Sequence, residues 1–335
     1  MNTEKLLTEV ASTKVGYSGY WTTPGETERQ AFLAAETIGW PEGDFYFGFP
    51  WFSLFHALET NNAQLSSRLL ILLDQLVKQI PHKARVVSVS QHPGSLNFVE
   101  YFRRARISVL FDAHKPRELR ETLDIKLLPF PLIPLQVPVD IAPPTAQSER
   151  KYLASFIGTR GSGDHYSAIR EYIFMLKKRT DLRIIERPAW YYAQIIERDL
   201  ELNSAVTDEM RIEEFEFAKQ FRNAMRDSKF ALCPIGRGLC TTRIYEALSS
   251  GTVPIILTTE LDLPGDESLW HSAAVFSADS KEGVDRALSI VQGLSSAHVE
   301  EMKRQGVKLL HSLASFRFGQ VIQNSIRELD ALSNT

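Results

Sequence analysis

Short apolar runs recur along the chain, each closed by Gly, Pro or Asp, and between them apolar residues return every three or four positions. The first pattern predicts buried strands over Arg85–Ser90 (RVVSVS), 107–111, 125–131, 152–157, Leu182–Glu186, 230–233, Val253–Leu257 and 273–276. The second predicts helices over 60–79, where Leu65, Leu69, Leu72, Leu73 and Leu76 share one face, and over 96–106, 167–177, 213–228, 243–250, Lys281–Gly293, Ser296–Leu313 and 316–332. Strands alternating with helices argue for an α/β protein whose parallel sheets are covered on both faces. Ligands in such sheets gather beyond the carboxyl ends of the strands, which places His92, Asp112 and His114 at the edge of a crevice.

Residues 1–60 read as irregular and rich in aromatics, among them Tyr17, Tyr20, Trp21, Trp40, Phe45, Tyr46, Phe47, Trp51 and Phe55. Core or domain-edge packing is the stronger reading of this cluster, and a sugar-stacking platform the weaker. The prolines between 129 and 148 mark an extended linker, dividing the chain into domains at 1–145 and 146–315. The charged, aromatic stretch 188–212, with Trp190, Tyr191 and Tyr192, reads as helical or as an insertion.

The chain is organised around residues 228–263, SKFALCPIGRGLCTTRIYEALSSGTVPIILTTELDL. A strand ends at Pro234, a loop containing Gly236, Arg237 and Gly238 follows, Thr241 or Thr242 caps a helix, and Gly251 ends it before a second buried strand. Free amides at a helix start suit an anion, above all a diphosphate. Arg243 in the first turn would face that anion, and Glu246 shares its helix face at i, i+3, well placed for ribose hydroxyls. The plain alternative is a surface ion pair. A second glycine loop, Gly158-Thr159-Arg160-Gly161-Ser162-Gly163, follows the strand at 152–157, so Gly158, Arg160 and Arg237 join the candidate donor-binding residues. Its glycines fall in the wrong order for a dinucleotide fingerprint, and there is no P-loop.

A length of 335 residues accommodates two domains, and 44% hydrophobic with 24% charged residues describes a globular chain. The net charge of −3 supplies no electrostatic reason to expect nucleic acid. No apolar run approaches about eighteen residues, and the amino terminus lacks a signal-peptide pattern. The expectation is a cytoplasmic protein without a transmembrane segment, which leaves peripheral membrane association open. Cys233 and Cys240 read as reduced thiols and have no histidine at zinc-ligand spacing.

The run SKFALCPIGRG…TRIYEALSSGTVPIIL resembles the signature of exostosin-like glycosyltransferases: a Ser-x-Phe strand, a Pro and Gly loop, Arg-x-x-Glu-Ala, a Gly and Val-Pro-Val-Ile. Thr242 fits the Ser or Thr before the arginine, and Glu260 is a loose counterpart of the family's later acidic residue. The order VSVSQH…ISVLFDAHK…LLPFPLIP is similar to the amino half of bacterial exostosin-like proteins. The resemblance implies two Rossmann-like domains facing a cleft, the GT-B fold, with a helix over 316–335 crossing back to the first domain. It also implies inverting transfer from a nucleotide sugar, usually uridine-linked, to a glycan acceptor. No Asp-x-Asp occurs, consistent with helix amides and basic side chains replacing a metal, and no cofactor is expected. The base would come from the amino-terminal domain: His92 is favoured, with Asp112 and His114 competing. Changing His92 to Ala should then lower turnover about 100-fold or more. The rivals are a catalytically idle sugar- or nucleotide-binding relative and an interaction scaffold.

Overall fold

A computed structural model describes residues 8–11, 14–17, 20–21, 25–137, 150–160, 167–188 and 208–333. Twelve strands among them form two sheets. The first contains β1 (Thr8–Ala11), β2 (Lys14–Tyr17), β3 (Asp44–Gly48), β4 (Arg85–Ser90), β5 (Ile107–Asp112), β6 (Glu121–Thr122) and β7 (Ile125–Pro129), in the order β1-β2-β3-β4-β5-β7-β6. Its five central strands run parallel, and only the outermost pairs are antiparallel. The second sheet is wholly parallel: β8 (Tyr152–Gly158), β9 (Leu182–Glu186), β10 (Ser228–Pro234), β11 (Val253–Leu257) and β12 (Val275–Ser277), in the order β12-β11-β10-β8-β9.

The helices are α1 (Glu26–Ala34), α2 (Trp51–Glu59), α3 (Ala63–Val77), α4 (Val99–Arg104), α5 (Ile169–Met175), α6 (Asp208–Arg226), α7 (Thr242–Ser249), α8 (Glu267–Ala273), α9 (Lys281–Gly293), α10 (Ser296–Leu313) and α11 (Phe318–Ser333). Strands with continuous apolar runs, such as β11, are buried along their whole length because helices cover both faces.

The first sixty residues differ from the sequence expectation. They contain α1, β3 and α2, and their aromatics are core: Phe45, Tyr46, Phe47, Phe49, Trp51 and Phe55 are all buried. Every residue of β3 is buried, so it shows no alternation, and the run of aromatics disguised a central strand as a loop. The helix expected from residue 60 begins at Ala63. Asn61 turns at φ +55°, and the Asn62 side chain accepts the Leu65 N–H as a cap. The helix expected over 96–106 divides into a 3-10 turn, Ser95–Phe98, and α4. Helix α8, capped by Asp266, had gone unread. Residues 138–149 of the linker and 189–207 of the charged stretch lie outside the described residues.

One apolar core joins the two sheets. It takes Phe32, Phe111, Phe130 and Leu132 from the amino-terminal side and Ile157, Phe221, Tyr245, Trp270 and Leu309 from the other. Helix α11 extends it back: Phe318 meets Phe130 edge-on at 4.7 Å, and Gln323 donates to the Gly39 carbonyl. Arg85 holds Asp44 at 2.6 Å and also pairs with Asp330. No helix among the described residues is long and apolar enough to cross a membrane.

Candidate active site

The carboxyl ends of both sheets face a shared groove. From the second sheet, β10 delivers the Gly236–Gly238 loop, and Thr241 caps α7 with its hydroxyl accepting the Arg243 N–H at 3.4 Å. Gly238 is required to be glycine, because a Cβ there would lie 2.4 Å from His114 Nδ1 across the groove. A cavity of about 160 Å³ opens at this corner, lined by Gly158, Gly236, Arg237, Gly238, Thr242, Arg243 and Glu246 together with Gln91 and His114 from the first sheet.

Three further features give the cavity its charge. Arg243 is buried, with Nη2 donating to the Ile157 carbonyl at 2.5 Å and its guanidinium 4.7 Å from the Phe156 ring centre. Arg187, at the carboxyl end of β9, donates through Nη2 to the Phe217 carbonyl at 2.6 Å and lies 5.0 Å from the Phe217 ring centre. Arg170 on α5 donates to the Thr159 carbonyl at 3.1 Å and the Ile235 carbonyl at 3.3 Å. Backbone carbonyls and ring faces therefore aim the guanidiniums into the cavity. Burial pushes the Arg243 pKa down, yet a guanidinium keeps its charge at any working pH.

Glu246, expected as a ligand for ribose hydroxyls, lines the cavity but is engaged by the chain itself. Its Oε1 accepts the Gln136 N–H at 3.0 Å, and burial raises its pKa despite that bond and the nearby Arg243 charge.

A second lobe of about 350 Å³ shares the wall formed by His114 and Gly236–Gly238. Asp112, at the end of β5, lines it. One carboxylate oxygen accepts the Ser95 hydroxyl at 2.5 Å and the other the His114 N–H at 2.7 Å. Burial lifts Asp112 to about 6, against those hydrogen bonds and the Lys115 charge. Burial also drops His114 to about 3, and its Nδ1 already accepts the Cys240 N–H at 3.1 Å. His114 is thus a neutral bridge between the domains whose Nδ1 lone pair is occupied.

His92 and Arg160 correct the sequence expectation. His92 is fully buried among Phe52, Phe55 and Phe98 and lines neither lobe. Its Nδ1 accepts the Gly94 N–H at 3.1 Å, while Nε2 lies 3.5 Å from Glu59. The turn after β4 folds the ring inward against the aromatics of α2, and burial lowers its pKa. Arg160 points to solvent, paired with Glu186 and Glu171 and absent from the cavity wall. Arg237 does line the cavity, but it reaches across the groove to Glu59 at 2.7 Å. Burial alone would raise Glu59; the neighbouring His92 and Arg237 outweigh it and hold the carboxyl at about 2.

Sequence reasoning missed Arg170, Arg187, Gln136 and Glu28. Arg187 was legible, because it directly follows the strand ending at Glu186, and the rule that singled out His92 applies equally to it. Glu28 lies beneath the groove floor on α1. It accepts the Phe52 N–H at 3.1 Å and the Gln91 N–H at 3.0 Å, while Gln91 Oε1 accepts the Thr27 N–H at 2.8 Å. Burial raises Glu28 to about 8. Nothing in the pattern of residues 1–60 pointed to it.

Two α/β domains with parallel sheets, their strand ends converging on one groove, define a GT-B arrangement. The family model described as the Exostosin GT47 domain matches residues 87–294, well over half of the chain, and the chain belongs to the exostosin-like glycosyltransferase family. Exostosin-1 of Drosophila melanogaster is 28% identical over 170 residues, covering 48% of this chain and 20% of that protein. The Exostosin-1 homolog of Caenorhabditis elegans is 28% identical over 187 residues, covering 54% of this chain and 44% of that one. The chain thus spans less than half the length of these relatives. Among solved structures, trehalose-6-phosphate synthase OtsA aligns at TM-score 0.44 and 12% identity over 90% of this chain and 83% of that one. TarM aligns at 0.41 and 9% identity over 89% and 57%.

Proposed function

We propose that this chain moves a sugar from a nucleotide diphosphate donor, uridine-linked by family resemblance, to a hydroxyl of a glycan precursor in the cytoplasm. Transfer proceeds with inversion and without a metal. The observation that carries this reading is the convergence of Arg170, Arg187 and Arg243 with the amide-bearing start of α7 on one interdomain cavity. A departing diphosphate develops negative charge, and pre-aimed donors in a water-poor pocket stabilise that charge without reorganising. Helix-start amides add to the guanidiniums.

The adjoining lobe suits the acceptor. Of the three candidate bases, Asp112 is the one whose chemistry fits: it lines that lobe and carries a carboxylate near 6. Such a group is ionised at neutral pH yet more basic than an ordinary aspartate, which favours proton removal from a hydroxyl. Asp112 lines this lobe while Arg170, Arg187 and Arg243 line the other, so base and diphosphate are assigned to separate parts of the groove.

Calorimetric titration with UDP, GDP and CMP tests the donor site, and a UDP-sugar panel followed for sugar release or transfer tests the chemistry. Absence of binding by all three nucleotides sinks the reading. Binding without release or transfer leaves the idle relative.

A further inference from the structure

We infer that Gln136 is a built-in competitor for the donor: its side chain lines the arginine-lined cavity beside Arg187 and swings out when a nucleotide sugar seats. The inference rests on reading that cavity as the donor site. The free volume of about 160 Å³ is small for such a ligand, since small-molecule pockets run to roughly 300–1,000 Å³. Part of its wall, Leu132 and Gln136, comes from one extended piece of the chain. Residues 131–137 descend from the first sheet into the groove, anchored by Leu132 and Val137 in the shared core.

The main chain at Gln136 is held twice. Its N–H donates to Glu246 Oε1 at 3.0 Å, and its carbonyl accepts Arg222 Nη1 at 3.1 Å. The side chain has two contacts: Oε1 accepts Arg187 Nη1 at 3.4 Å, long for a hydrogen bond, and the amide also hydrogen-bonds the Glu246 carboxylate. Arg187 itself is fixed from its other edge by the Phe217 carbonyl and across its face by the Phe217 ring. Rotation of Gln136 about its side-chain bonds gives up both side-chain contacts and leaves its doubly held backbone where it is. It withdraws the amide from the cavity wall and from Arg187 Nη1. A phosphate oxygen is a stronger acceptor for a guanidinium than an amide oxygen, so the donor displaces Gln136 rather than the reverse.

If Gln136 instead gripped the donor, truncating it would weaken binding, so the sign of the effect decides. Calorimetric titration of UDP into the full chain and into Gln136→Ala should show the variant binding about 3- to 10-fold tighter, the factor returned when a competing conformer is removed. Gln136→Glu, whose carboxylate clamps Arg187, should bind UDP about tenfold more weakly. The gain from Gln136→Ala should vanish in an Arg187→Ala background. Should Gln136→Ala melt early, Gln136→Asn, which draws the amide back by one methylene, carries the same expected direction. Unchanged or weaker UDP binding on truncation overturns the inference, as does a gain that persists without Arg187. Absence of binding of UDP, GDP and CMP by every variant overturns the donor-site reading beneath it, a separate result.

Discussion

The two walls of the groove differ in which groups keep their charge under burial. On the amino-terminal side, at the groove and just beneath it, removal from water drives ionisable groups toward neutrality: Glu28 rises to about 8, Asp112 rises to about 6, and His92 and His114 fall. On the carboxyl-terminal wall, Arg170, Arg187 and Arg243 stay cationic, because a guanidinium does not surrender its proton at accessible pH. One force, desolvation, thus makes a proton-accepting wall facing an anion-binding wall. The difference lies in which residue types the strand ends supply, and each wall can be altered without the other.

The largest effect is expected from Asp112→Asn, which should lower kcat by about 10²–10⁴-fold while leaving the UDP Kd unchanged. A parallel loss of UDP binding would show that the walls are not separable. In the unaltered protein, kcat should rise with pH up to about 6 and level off above it, because Asp112 accepts a proton only when ionised. A rate that falls through that range would exclude it as the base. Next is Arg243→Ala, expected to weaken UDP binding at least tenfold or so through loss of a charge-assisted contact; equal titrations of variant and parent would remove it from the donor site.

His92→Ala bears on the same contrast from the other direction. Removing a ring packed among Phe52, Phe55 and Phe98 should lower stability by roughly 2–4 kcal/mol in denaturant titration. Turnover per folded molecule should change less than about threefold, in place of the loss of about 100-fold that a base at this position entails. The smallest effect belongs to Arg160→Ala. Its ion pairs lie in water, where such pairs contribute little, so UDP binding should stay within about twofold.

The strands at Arg85–Ser90, Leu182–Glu186 and Val253–Leu257 and the helices at Lys281–Gly293 and Ser296–Leu313 were legible residue for residue. Their periodicity is a local property, set by the pleat of a strand or the turn of a helix. The strand–loop–helix unit around Gly236–Glu246 was legible for the same reason, since caps, glycines and a following strand are neighbours in sequence. The aromatic stretch was not, because its order comes from being sandwiched, and burial on both faces erases the alternation that would have marked β3.

Which residues face the groove is a separate matter, decided when two sheets and a linker close around it. A histidine at a strand end and an arginine in a glycine loop carry the same local signal whether they turn in or out. His92 turned into the α2 aromatics and Arg160 toward two glutamates, while Arg187 and Gln136 came to the cavity from segments remote in sequence from α7. The chain's own pattern determined its elements and the amide-rich helix start, because hydrogen bonding and periodic burial act over a few residues. The side-chain constellation waited for the tertiary structure, because desolvation and charge pairing depend on neighbours that only folding brings together.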